Sequence, residues 1–175
     1  MKCPSASVVV GLLVGMMAIA VAAAPSASSL NASSILADIR TNGAQPVVAA
    51  LWSGDGRWNQ VMVNIGSGRS DWLQVGVALR PGTDAGAAEE LDEAIFLALG
   101  TAPVAVLKLL KDHQFKTKFV CSSNIGIDYT PTEARRFINE RIKILSGLSN
   151  EKILATRDEC LVGLRAALAD FGTSK

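Results

Sequence analysis

The chain has 175 residues, 49% of them apolar and 19% charged, and a formal net charge of +1. Such a composition excludes a disordered polar protein and supplies apolar material for one folded core. The bases are not interleaved with aromatic residues and only one histidine is present, so neither a nucleic-acid partner nor a zinc site or other cofactor is expected.

Met1 and Lys2 give a positive start, Val8 to Ala24 is an apolar run without a charge, and Ala22-Ala23 offers small residues to a signal peptidase. Residues 1–23 are therefore expected to be a signal peptide cut near Ala23-Ala24, which places the mature chain in the periplasm or outside the cell. Cys3 precedes the apolar run, so it leaves with the signal and no lipid-anchored cysteine is expected. The competing reading is an uncleaved anchor, for which this Ala- and Gly-rich run is short. Residues 24–34, rich in Ser and Ala, read as a flexible leader, and residues 35–175 as a single helical domain.

The mature chain reads as a run of helices. Asn31 to Ile39 carries Ile35, Leu36 and Ile39 on one side and stops at Asn42-Gly43, and Pro46 opens a helix over Val47 to Trp52. Asp55, in the turn that follows, is a candidate cap for the next helix.

Trp58, Val61 and Ile65 are echoed fourteen residues later by Trp72, Val75 and Leu79. Each set has the i, i+3, i+7 spacing of one helix face, so the stretch predicts a helical hairpin with Trp58 and Trp72 as structural anchors in a shared core. Ser70 or Asp71 is expected to cap the second helix. Arg80-Pro81-Gly82 then reads as a tight turn with glycine in the left-handed position. A helix from Thr83 or Asp84 to about Leu99 and another over Val104 to Asp112 follow.

Phe115 to Tyr129 lacks a helical period; Phe119, Cys121, Ile125 and Ile127 alternate there, which predicts an irregular crossing loop or a short extended piece. Thr130-Pro131-Thr132-Glu133 is a capping-box start for a helix that buries Ala134, Phe137, Ile138, Ile142 and Leu145. The last helix runs from about Asn150 to Phe171. About eight short-to-medium helices result, an all-α domain built as an α-α superhelix or an irregular bundle.

Cys121 and Cys160 remain after signal removal, and in an oxidising compartment a bond between them is the default. Cys160 shares a helical face with Ile153, Leu164, Leu168 and Phe171. Closing a loop of this length stabilises by about 4 kcal/mol in the chain-entropy model.

Chemistry is sparse. Glu89, Glu90, Asp92 and Glu93 form the densest acidic cluster, readable as acids in the N-terminal half of a helix or as a hydrolase or metal site. His113 follows Lys111-Asp112 at a helix C-terminus, where it complements the dipole; a catalytic base is the alternative. Gly66-Ser67-Gly68-Arg69 and Arg80-Pro81-Gly82-Thr83 precede helix starts and are candidate anion sites. Lys108, Lys111, Lys116 and Lys118, with Arg135, Arg136, Arg141 and Lys143, form a candidate partner surface or simply solvated faces. Residues 38–93 hold eight acids and four bases, residues 94–175 eight acids and twelve bases, a dipolar layout able to steer a charged partner.

The run from Trp58 through Trp72-Leu73, Leu79-Arg80-Pro81-Gly82-Thr83-Asp84-Ala85-Gly86 and Glu90-Leu91 to Pro103 and Val106-Leu107 resembles a family of small exported helical proteobacterial proteins. The resemblance implies a periplasmic setting and brings no activity or catalytic residue. In size and build the chain is also similar to periplasmic immunity proteins. The expectation is a non-enzymatic periplasmic protein-binding domain, of inhibitor or immunity type, whose partner is a cell-envelope protein or an incoming toxin. A cell-envelope hydrolase using the Glu89 to Glu93 cluster and a structural or membrane-surface adaptor are the alternatives.

Overall fold

The computed structural model describes residues 30–122 and 129–173, with side chains placed through residue 170. The expected signal peptide, the leader up to residue 29, the alternating Ile125 and Ile127, and the side chain of Phe171 lie outside the described residues. Nine α-helices and no strand are present among the described residues.

In chain order these are α1 (Ala32–Asn42), α2 (Ala44–Trp52), α3 (Arg57–Gly66), α4 (Ser70–Leu79) and α5 (Ala85–Ala98). They continue with α6 (Pro103–Lys111), α7 (Thr117–Val120), α8 (Pro131–Ser146) and α9 (Leu154–Thr173). Two 3-10 turns, Arg80–Gly82 and Glu151–Ile153, precede α5 and α9. Part of the expected leader is therefore helical, since Asn31 caps α1 by accepting the Ser34 amide at 2.8 Å. The ninth helix is α7, one turn inside the segment expected to be irregular or extended.

Helices pack on partners beyond their chain neighbours: α1 on α4, α3 on α5, and α6 on α9. The result is the expected all-α domain, an α-α superhelical or irregular bundle, around one apolar cluster that draws on every helix.

All six residues of the repeated pattern, Trp58, Val61, Ile65, Trp72, Val75 and Leu79, are buried. The hairpin is less self-contained than its sequence implies, because α3 lies chiefly on α5 and α4 on α1. Trp58 packs against Trp52 with ring centroids 5.3 Å apart and ring planes tilted by 59°, and its indole N–H donates to Glu90 Oε2 at 2.7 Å. Both tryptophans serve the core, through different neighbours.

Several local expectations are corrected. Neither Ser70 nor Asp71 caps α4; Arg69 occupies the cap position and its guanidinium pairs with Asp71 at 3.0 Å. Gly56 holds the cap position of α3, while Asp55 accepts the Arg57 amide at 3.1 Å one residue outside it. Gly82 lies in a 3-10 turn and not in the left-handed region. Its glycine is required by proximity: a Cβ there would sit 2.4 Å from the carbonyl carbon of Ala44 and from the amide nitrogen of Gln45, at the start of α2.

The capping box of α8 forms as its sequence predicts. Thr130 Oγ1 accepts the Glu133 amide, and Glu133 Oε2 accepts the Thr130 amide at 2.9 Å. Hydrogen bonds from the Thr130 hydroxyl and amide hold the Glu133 carboxyl below its ordinary range. Beneath this helix, Cys121 and Cys160 are bonded with their Cα atoms 5.1 Å apart, which fixes α7 to α9.

Candidate functional site

The site is built on α5. The helix starts at Ala85 and carries no acid in its first turn; Glu89 and Glu90 lie in its N-terminal half, and Asp92 and Glu93 just past its middle. They divide by helical register. Glu89, Glu90 and Glu93 fall on the outward stripe with Gly86 and Leu97, whereas Asp92 shares its face with Ile95, Phe96 and Leu99 and is only 7% exposed.

Asp92 is the polar centre of a joint between the end of α4 and α5. Arg80 donates to Asp92 Oδ2 at 3.2 Å and to the Ala88 carbonyl at 3.1 Å, and its guanidinium lies 5.5 Å from the Phe115 ring centroid. Burial pushes the Asp92 carboxyl above the ordinary carboxylate range, and the Arg80 charge opposes that shift without cancelling it. Asp92 Oδ1 is buried and accepts no hydrogen bond within the protein.

A cavity of about 210 Å³ opens beside this joint, between α5 and α7. It is lined by Arg80, Ala85, Ala88, Glu89, Asp92, Glu93 and Phe119. Phe119 is 37% exposed, and Lys116 and Lys118 stand 5.7 and 4.8 Å from its ring centroid. On the other side of Glu93 a shallow groove between α3 and α5 is lined by Met62, Val63, Glu90, Ala94 and Leu97. Trp52 borders the same stripe, close enough that a Cβ on Gly86 would lie 3.7 Å from its indole. Chemically, this is an acidic helix face edged by exposed apolar side chains.

The other sequence-predicted residues lie elsewhere. Lys108 and Lys111 are exposed at the end of α6, Lys116 holds the cap position of α7 and Lys118 lies within it, and Arg135 and Arg136 are exposed on α8. Arg136 lies over Phe137 at 4.9 Å.

Arg141 leaves the basic surface altogether. It is 6% exposed, donates to the Leu97 carbonyl at 3.2 Å and to Glu140 at 2.9 Å, and stacks over Phe96 and Phe137. It thereby satisfies a carbonyl at the C-terminal end of α5, and burial lowers its pKa.

His113 takes φ 56° just beyond α6, where its amide reaches the Leu110 carbonyl and that of Gln114 the Leu109 carbonyl. This is a helix-stopping Schellman arrangement with histidine in the left-handed position. Both candidate anion loops have their arginine engaged by a carboxylate, Arg69 by Asp71 and Arg80 by Asp92, which opposes anion binding. Among the described residues no group of three or more His, Cys, Asp or Glu is placed to hold a metal, and no helix is long and apolar enough to cross a membrane.

The Arg80–Asp92 joint was missing from the expected sites, although the signal exists: from Asp92, the positions three, four and seven ahead are Ile95, Phe96 and Leu99. Comparison with protein families, with curated proteins and with solved structures finds no match to this chain.

Proposed function

We propose that the chain is an exported, non-enzymatic protein-binding domain that presents a helical surface to another protein, with an inhibitor or immunity-type role as its most specific form. The observation that carries this reading is the clustering of exposed apolar side chains: Trp52 at 45%, Val63 at 73% and Phe119 at 37% all border the outward stripe of α5. Large apolar side chains gathered around one charged helix face are what a partner covers on docking. The Cys121–Cys160 bond fits an oxidising compartment, and the charged start and apolar run of residues 1–23 support periplasmic export. Affinity capture with the mature protein from a cell-envelope extract tests the reading. A stoichiometric protein partner is expected; retention of no protein under conditions that keep the fold would overturn it.

One observation favours the hydrolase alternative, namely the raised Asp92 carboxyl beside a cavity that also carries Glu89 and Glu93. Against it, one Asp92 oxygen is taken by Arg80 and the other is enclosed. Cleavage of a cell-wall or ester substrate that is lost in Glu89→Gln or Glu93→Gln, with the fold intact, would establish the hydrolase and displace the binding reading.

A further inference from the structure

The solvent-facing stripe of α5 has chemistry that selects a partner. Glu89 and Glu90 are exposed and Glu93 is half-buried between the cavity and the α3–α5 groove, so three carboxylates occupy one face across just over one helical turn. Three arginines of the first half of the fold are engaged by other carboxylates. Arg57 pairs with Asp55, Arg69 with Asp71 and Arg80 with the inner Asp92. The face is thus acidic over α5 and apolar at its edges, where Trp52, Val63 and Phe119 stand exposed. Its α7 edge has the opposite sign, because Lys116 and Lys118 lie over the Phe119 ring.

We infer that this stripe is the docking surface for a basic segment of a partner protein, one that alternates lysine or arginine with large apolar side chains. The inference rests on the protein-binding reading and adds the partner's chemistry to it. Cationic side chains of the segment lie over the carboxylates of the stripe on the side of the α3–α5 groove, away from the lysines that stand over Phe119. Its apolar side chains meet Val63 and Leu97 in the groove and the open face of Trp52. Charge complementarity selects the partner and sets the salt dependence of association, while the apolar contacts hold it. The lysines at the α7 edge fix orientation, since a base of the partner is repelled there and an acid is accepted.

The test uses the mature protein and a synthetic amphipathic lysine–leucine helix of about five turns, followed by the emission of exposed Trp52. Saturable binding with a shift of that emission is expected. The double variant Glu89→Gln/Glu93→Gln and the single variant Val63→Ser should each weaken binding roughly tenfold or more. The control Glu151→Gln/Glu159→Gln removes the same charge from exposed sites on the last 3-10 turn and α9 and should leave affinity within about twofold. Equal weakening by the control, no weakening by the α5 and Val63 variants, or no binding by the wild type at low salt would each overturn the inference. Parallel capture from extract keeps the two claims apart. A partner held by the wild type and lost from Glu89→Gln/Glu93→Gln supports both, and a partner held equally by both overturns only the assignment to α5. Capture of nothing by either overturns the binding reading itself.

Discussion

Gly163 lies in the middle of α9, where propensity alone favours alanine by about 1 kcal/mol. The structure predicts the opposite sign. A Cβ on Gly163 would sit 2.1 Å from the Cys121 carbonyl oxygen and 3.2 Å from its carbonyl carbon. That oxygen is backbone, and Cys121 is bonded to Cys160, one turn earlier on α9, so neither side can withdraw without moving α7. Overpacking of this kind costs about 1–3 kcal/mol when flexible side chains absorb it and more when backbone must shift. With the propensity gain subtracted, Gly163→Ala should lose about 2 kcal/mol, seen as a urea midpoint lower by roughly 1 M at unchanged slope. Gly76→Ala is the internal comparison: its Cβ would meet only Ile65 and Ile95 at 3.5–3.6 Å, an ordinary contact, so the propensity term should prevail and the midpoint should rise. A Gly163→Ala midpoint at or above wild type would refute the close approach of α7 to α9.

Trp72→Ala should cost about 3–5 kcal/mol, whereas Trp72→Phe should cost less than about 1.5 kcal/mol, because the buried Trp72 Nε1 donates to nothing within the protein; chemical denaturation of both variants checks this. At neutral pH Arg80→Met should lose about 3 kcal/mol by stranding a buried carboxylate, and Asp92→Asn much less. The sign follows from the raised Asp92 carboxyl: its contribution favours the fold below the ordinary carboxylate pKa and is lost as pH rises through the folded value. Denaturation at acid and neutral pH should therefore find the Asn variant gaining on wild type as pH rises; equal losses in the two variants at neutral pH would refute the asymmetry. Thiol labelling of the unfolded, unreduced mature protein should find neither Cys121 nor Cys160 reactive, and reduction should lower stability by about 4 kcal/mol; stoichiometric labelling would contradict the bond.

Features carried by neighbouring residues were legible without the structure. The Thr130 to Glu133 capping box and the two tryptophan triads depend on helical period and local hydrogen bonds, and both are present as read. For Asp92 and Arg141, helical register outweighs charge. Asp92 lies in line with Ile95, Phe96 and Leu99, and Arg141 in line with Ala134, Ile138 and Leu145, and each is buried where that register places it. Their partners, Arg80 and the Leu97 carbonyl, come from other elements, which no local pattern announces. The same holds for Gly82, whose reason lies at the start of α2, and for Phe119, which one helical turn and a disulfide bring beside Glu89 and Glu93. The candidate site is an assembly of long-range neighbours around an acidic helix whose composition alone was visible.

The central claim is that one face of this bundle, around α5, meets another protein. Among the described residues Val63 and Val162 are the two most exposed large apolar residues, at 73% and 68%, and they stand on α3 and α9 in separate grooves. A photo-crosslinking side chain introduced by Val63→p-benzoylphenylalanine, and in parallel by Val162→p-benzoylphenylalanine, in cells that export the protein would read out which face is covered. A single heavier adduct containing a second protein is expected from position 63 and none from position 162. Adducts from position 162 alone, or from neither, would contradict the account.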